Sequence, residues 1–508
     1  MQNSKRILLN TGAQYVRAVL NIILSFVATR VILKVLGVDD YGIYTLIAGV
    51  VSILSFLTSS LVITTQRFLS VAQGEKNTTK SKKIFNTSLI LHLIIGFAVI
   101  VILEALYSIL FNGLLNIPET RIGAAKTLYH LVALILFLTF TTSPFRAVLV
   151  SHENIIYLSI IEILDSIFKV AIAYALYCFS SDKLIVYGIL LLCIQVFNLI
   201  TLSAYCYWKY EECILPCVSF FKKQHLKELS SFTGWTMYNL ICNIGRTQGI
   251  SILLNRYMGP TINASYGLGF QVSGGLGNIS QSLLNAMNPQ LMKAEGSGNR
   301  DKMIRLAEIE SKFAFFLLST FAIPCIFEMP QLLELWLGDV PQHAVLFCNM
   351  VILASLAEIL TTGLGSANQA IGDIKAYTLV ISTIKLSTLI VAIILLYLGY
   401  SILYVAIAYV AIEFIGSMYR LPFLKQTANI SIRMFIKRVF VKEVVPILCM
   451  VLTCISITCL FSGTYRFIFT ILASMFVYAT AIYYTGLCKD EKNIINSYIN
   501  IINKKYRL

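Results

Sequence analysis

Apolar residues fill this chain in long blocks, separated by short polar punctuation, almost from end to end. A membrane-crossing helix needs roughly 20 such residues. The blocks predict spans over 13–33, 42–65, 85–111, 127–149, 155–178, 184–208, 232–255, 263–289, 306–327, 344–366, 376–398, 401–422, 443–462 and 466–487. The expected fold is an all-α integral membrane protein with about 14 transmembrane helices, of which the seventh and eighth are the most polar. Lys5 and Arg6 precede the first block as in a signal peptide. Arg17 and Asn21 inside it, and the lack of a small-x-small cleavage site, predict an uncleaved first helix instead.

Composition agrees: 57% of the 508 residues are hydrophobic and 13% charged. The net charge of +15 would suit a nucleic-acid partner, but its placement says otherwise. With a cytoplasmic N-terminus, twenty-eight of the 40 basic residues fall on the cytoplasmic side, Arg146 and Arg420 among them, and six on the other. That asymmetry puts both termini in the cytoplasm. It makes membrane lipid, not nucleic acid, the expected partner of the charge. The 12 cysteines lack paired spacing outside and read as small buried hydrophobes, so no metal site is expected.

The chain repeats itself. "KVLGVDDYGIY" (34–44) matches "RYMGPTINASYGL" (256–268), "AQGEKN" (72–77) matches "AEGSGN" (294–299), and 141–157 matches 361–377 without a gap. A unit of six spans, an even number, gives two copies of the same orientation. The expectation is two pseudo-symmetric six-helix lobes around a central cavity. They comprise an N-lobe over 1–208, a cytoplasmic linker over 209–231 and a C-lobe over 232–425. Two extra helices over 443–487 and a basic cytoplasmic tail over 488–508 follow.

The opening, "LLNTGAQYVRAVLNIILSFVATRVILKVLGVDDYGIYTLIAGVVSIL" (8–54), with its G-x3-YG-x-Y exit, resembles the bacterial polysaccharide transporters. These are Wzx-type flippases of O-antigen and capsule units. They belong to the multidrug/oligosaccharidyl-lipid/polysaccharide exporter superfamily, with the lipid II flippase and the MATE drug exporters. The resemblance implies an inner-membrane flippase that carries an undecaprenyl-diphosphate-linked oligosaccharide to the periplasmic leaflet by alternating access. It would need no cofactor, H+ or Na+ being the candidate coupling ions. A polysaccharide polymerase and glycosyltransferases are the expected protein partners. A MATE-type cation antiporter and a lipid II flippase are the alternatives.

Charges near mid-bilayer cost about 2.5–3.5 kcal/mol each on insertion, so they mark bundle interiors or watery cavities. Aligning Gly37 with Gly259 sets Asn21 on Asn243 and Arg17 on Asn239, with Arg246 a turn beyond. These positions share one helix face in each copy. The two stripes are expected to face the central cavity, where guanidinium forks would hold a diphosphate. Gln271, Asn278, Gln281 and Asn285 form an amide stripe suited to sugar hydroxyls. Glu162, Asp165 and Lys169 share a face, and the repeat sets Asp165 against Lys385 as a coupling or lobe-locking pair. His92, His130 and Glu104 read as isolated, and Glu358 and Glu413 have no matched partner in the repeat. No Ser-His-Asp set, H-E-x-x-H or Walker loop is present, which argues against an enzyme and a primary pump.

Overall fold

The computed structural model describes residues 2–52, 54–111, 117–217, 220, 223–461, 463 and 465–493. Most of the expected basic tail, 494–508, and parts of the expected linker lie outside the described residues. The elements are α1 (Gln2–Ser52), α2 (Ser55–Gly74), α3 (Thr78–Ile109), α4 (Ile122–Ser151), α5 (Ile155–Ala175), α6 (Lys183–Lys209), α7 (Lys223–Met258) and α8 (Pro260–Gly296). They continue with α9 (Arg300–Leu337), α10 (Ala344–Ile359), α11 (Thr362–Ile371), α12 (Lys375–Tyr397), α13 (Ile402–Ala428), α14 (Ile432–Arg438), α15 (Phe440–Leu460) and α16 (Arg466–Ala481).

Among the described residues, nine helices are long and apolar enough to cross a membrane, ten if the bent pair α10–α11 counts as one span. Four of the fourteen expected spans fall outside that set. α5, α7 and α8 have the length, at 21, 36 and 37 residues; α5 is strongly apolar but carries the charges of Glu162, Asp165 and Lys169, while polar side chains lower the hydropathy of α7 and α8. The expected span 42–65 straddles the end of α1 and the start of α2. Outward faces carry Phe97, Ile109, Leu452 and Phe476, all more than half exposed, as a lipid-facing surface requires.

The sequence repeat returns as geometry. Gly37 (φ 81°) breaks α1, and Gly259 (φ 89°) separates α7 from α8. Lys76 (φ 56°) and Gly298 (φ 76°) make the corresponding turns. Asn77 Oδ1 caps α3 by accepting from Lys80 N at 2.9 Å, and Asn299 Oδ1 caps α9 by accepting from Lys302 N at 3.0 Å. Each residue stands 222 positions from its counterpart. The α4–α5 break at 151–155 recurs as the α11–α12 break at 371–375.

The chain packs as two compact units. One holds 6–240 with 292–298, and the other holds 1–5, 241–291 and 299–508, so α7 and α8 each contribute to both. In the first unit α4 packs on α2, α3 and α6 around Ala125, Leu128 and Phe140. In that unit α2 also crosses the last turn of α8 backbone to backbone. A Cβ on Gly74 would overlap the carbonyl oxygen of Lys293, and one on Gly296 that of Val71. In the second unit α10 packs on α9 and α13 around Phe347, Met350 and Val351, while α15 and α16 pack on α9 through Met450, Cys454 and Tyr478. Lipid tails are as apolar as leucine, so close packing and polar contacts, more than burial, hold such a bundle together.

Candidate functional site

In the first unit, α1, α4, α5 and α6 surround a polar cavity of about 450 Å³. One face of α5 supplies Glu162, Asp165, Ser166 and Lys169, four residues that recur at helical spacing. Arg17 of α1 and Arg146 of α4 both pair with Glu162. Lys169 Nζ lies 2.7 Å from Asp165 Oδ2, and Asn198 Nδ2 donates to Asp165 Oδ1 at 2.7 Å. Ser166 Oγ donates to Asn21 Oδ1 at 3.0 Å, and Gln195 completes the polar wall. Three cations thus face two carboxylates, leaving one positive charge in excess. Arg17 keeps its Nε without a partner.

The cavity joins Arg17 and Asn21 to Glu162, Asp165 and Lys169, which the sequence had assigned to two separate tasks. It also recruits Arg146, expected among the cytoplasmic loop charges. The available signal was position: Arg146 falls inside the apolar block 127–149.

The second unit holds a different arrangement. Arg246 is expected to face a cavity; instead its side chain is 6% exposed and turned into its own unit. Its Nη1 donates to Glu413 Oε2 at 2.5 Å, its Nη2 to Asn243 Oδ1 at 3.1 Å, and its guanidinium lies 4.7 Å from the ring centre of Tyr409. Lys385 Nζ sits 2.6 Å from Glu413 Oε1 and 2.5 Å from Glu358 Oε1. Arg420 Nη1 donates to the backbone carbonyl of Glu358 at 3.1 Å, next to the break between α10 and α11. A continuous charged path therefore links α7, α13, α12 and α10.

This path corrects two sequence expectations. Lys385 is matched by Glu358 and Glu413, while Asp165 is satisfied by Lys169 and Asn198 in the other unit. The repeat pairs positions by register, but an ion pair needs side chains that reach one another. Glu358 and Glu413, which have no matched partner in the repeat, are the centre of the network, and Arg420, read as a loop charge, is buried within α13. Arg246, Lys385 and Arg420 fall inside apolar blocks, as do Glu358 and Glu413, and that company of opposite charges was the clue that they answer one another. Glu104 is not isolated, since His130 Nδ1 stands 2.9 Å from its Oε1.

Of the remaining stripe residues, Asn239 is exposed on the part of α7 in the first unit. Gln271, Asn278 and Gln281 are exposed along α8, and Gln281 Nε2 donates to Asn285 Oδ1 at 3.0 Å. Cys488, Asp490 and Glu491 bring metal-ligating atoms within 4.8 Å of one another. Lys312 Nζ at 2.5 Å from Glu491 and Arg305 Nη2 at 2.6 Å from Asp490 already supply the positive charge there.

The fold is that of solved transporters. It is similar to a point mutant of a MATE transporter at TM-score 0.74 and 13% identity, covering 84% of this chain and 96% of that one. It is also similar to an outward-facing multidrug-resistance MATE family transporter, at TM-score 0.70 and 14% identity over 84% and 96% of the two chains. A third is a MOP superfamily transporter from Pyrococcus furiosus described by a binding pocket of reverse polarity, at TM-score 0.69 and 12% identity over 84% and 96%. No curated protein matches the sequence. The family model described as "Polysaccharide biosynthesis protein" matches residues 5–294, a stretch that contains the whole polar cavity. This multi-pass membrane chain, with its transporter fold, belongs to the polysaccharide biosynthesis protein family.

Proposed function

We propose that this protein is a flippase that moves an undecaprenyl-diphosphate-linked oligosaccharide from the cytoplasmic to the periplasmic leaflet of a bacterial plasma membrane, with both termini cytoplasmic. The observation that carries the reading is the cavity of the first unit. It combines two arginines, a lysine, three amides and the Ser166 hydroxyl with the carboxylates of Glu162 and Asp165 in about 450 Å³, a size within the usual range for small-molecule sites. Guanidinium forks suit phosphate oxygens, and amides suit sugar hydroxyls. The amide stripe of α8, in the second unit, offers donors and acceptors of the same kind. In this reading H+ or Na+ supplies the driving force, and the glycosyltransferases and polymerase that make and use the glycan are the partners.

A second reading, a MATE-type cation antiporter, draws on the fold likeness. A cationic drug would meet an excess of positive charge in this cavity, which favours the flippase. Deletion of the gene in its host tests the choice: undecaprenyl-linked oligosaccharide should accumulate on the cytoplasmic leaflet, and Arg17→Ala should reproduce that accumulation in a folded protein. Unchanged lipid-linked glycan together with lost cation efflux would transfer the assignment to the antiporter.

A further inference from the structure

Eight glutamates are buried among the described residues, and six of them pair with an arginine, lysine or histidine. A seventh, Glu443, lies in the field of Lys312. Glu310 has no such cation. It is fully buried on α9; its Oε1 accepts from Ser366 Oγ of α11 at 2.6 Å, and its Oε2 has no partner.

We propose that Glu310 is a proton-binding site built into the seam between α9 and α11, and that loss of its proton drives the seam apart. An ionised carboxylate removed from water without a counter-charge is very costly, and one hydroxyl does not offset that cost. The charged groups on the elements packed against α9 are engaged elsewhere. α11 has no titratable side chain. On α10, Glu358 is held by Lys385; on α16, Arg466 pairs with Glu328 and Tyr478 bonds to Ser319. On α15, Lys442 donates to the carbonyl of Thr485, and on α9 itself Arg305 and Glu308 pair together.

The seam has no slack to admit water while it stays closed. A Cβ on Gly363 would overlap the carbonyl oxygen of Ala307, and Gly363 N donates to Ser311 Oγ at 3.0 Å. Glu310 and Ser366 sit one turn along from this crossing. An ionised Glu310 can be solvated only if α11 moves off α9. α11 is the short arm of the bent pair, set at 48° to α10, so it is the piece that can swing. In chemical terms Glu310 takes one proton from water to become a neutral acid and returns it to water on release. The step holds whichever substrate the protein carries.

The test uses the full-length protein in nanodiscs, without substrate. Infrared difference spectra between acid and alkaline buffer should show a protonated carboxyl band that Glu310→Gln removes. Amide-exchange protection of 362–371, corrected for intrinsic rates, should fall at least tenfold as pH rises in the wild type. It should stay high at every pH in Glu310→Gln, which keeps the shape and the Ser366 contact without the charge. Ser366→Ala, which retains the acid but removes its one donor, should move the exchange midpoint to higher pH. This second variant reads the site even if Glu310→Gln folds poorly. An identical carboxyl band and identical pH-dependent exchange in Glu310→Gln, or an unmoved midpoint in Ser366→Ala, would overturn the proposal.

Discussion

Arg246 Nη1 reaches Glu413 Oε2 at 2.5 Å, from α7 to α13, with both side chains almost sealed from solvent. Glu413 spends its other oxygen on Lys385 at 2.6 Å, so one carboxylate answers two cations. Removing one member of a buried pair leaves an uncompensated charge and costs about 3–5 kcal/mol. Glu413→Gln should therefore lower the thermal midpoint of the purified protein more than Glu358→Gln does, because the Glu358 side chain is 48% exposed. Equal midpoints would mean that the network is not organised around Glu413.

The cavity of the first unit gives a different expectation. Arg17 and Arg146 share Glu162, whose side chain is 19% exposed, so water can reach these charges. Arg17→Ala and Arg146→Ala should leave the fold intact but each lose a charge-assisted contact to an anionic substrate. Such contacts are worth about 1.5–3 kcal/mol, roughly ten- to hundredfold in affinity. Transport of lipid-linked oligosaccharide into the outer leaflet should fall accordingly, with Arg146→Lys only partly restoring it because a lysine cannot form a fork.

The crossing of α2 with the end of α8 predicts non-additivity. Gly74→Ala and Gly296→Ala each force a methyl into a backbone carbonyl, and overpacking of this kind costs about 1–3 kcal/mol. Once one methyl has parted the helices, the second meets an already open gap. The double variant should be less destabilised than the sum of the singles, as read from thermal unfolding of all three proteins.

Asp182 precedes α6 and links two kinds of contact. Its hydrogen bond with Arg121, Nη1 to Oδ2 at 2.6 Å, holds its carboxyl below the ordinary value of 3.8 despite partial burial. Its Oδ1 also caps the helix by accepting from Leu184 N at 3.1 Å. A carboxyl lowered in the folded state stabilises above its unfolded value, and that stabilisation fades as pH falls through the folded one. Wild-type thermal midpoints should thus drop below about pH 4. Asp182→Asn, which still caps but no longer pairs, should start lower and show a shallower acid-side decline.

The sequence by itself determined the membrane class, the long helices and the repeat. Each follows from local composition and spacing: apolar blocks must be helices in lipid, since only helices and closed barrels satisfy their backbone there. The motifs "AQGEKN" and "AEGSGN" were legible as a repeat, while the crossing at Gly74 and Gly296 and the helix caps at Asn77 and Asn299 came from the structure. That α5 carries charge on one face was also legible from spacing. Which charges meet was decided by tertiary structure alone. Arg17 and Arg146 are 129 positions apart in the chain yet share Glu162, and Lys385 finds Glu358 and Glu413 in place of Asp165. The reason is physical: periodicity fixes the face on which a side chain stands, whereas an ion pair depends on which helices pack together and how far each side chain reaches.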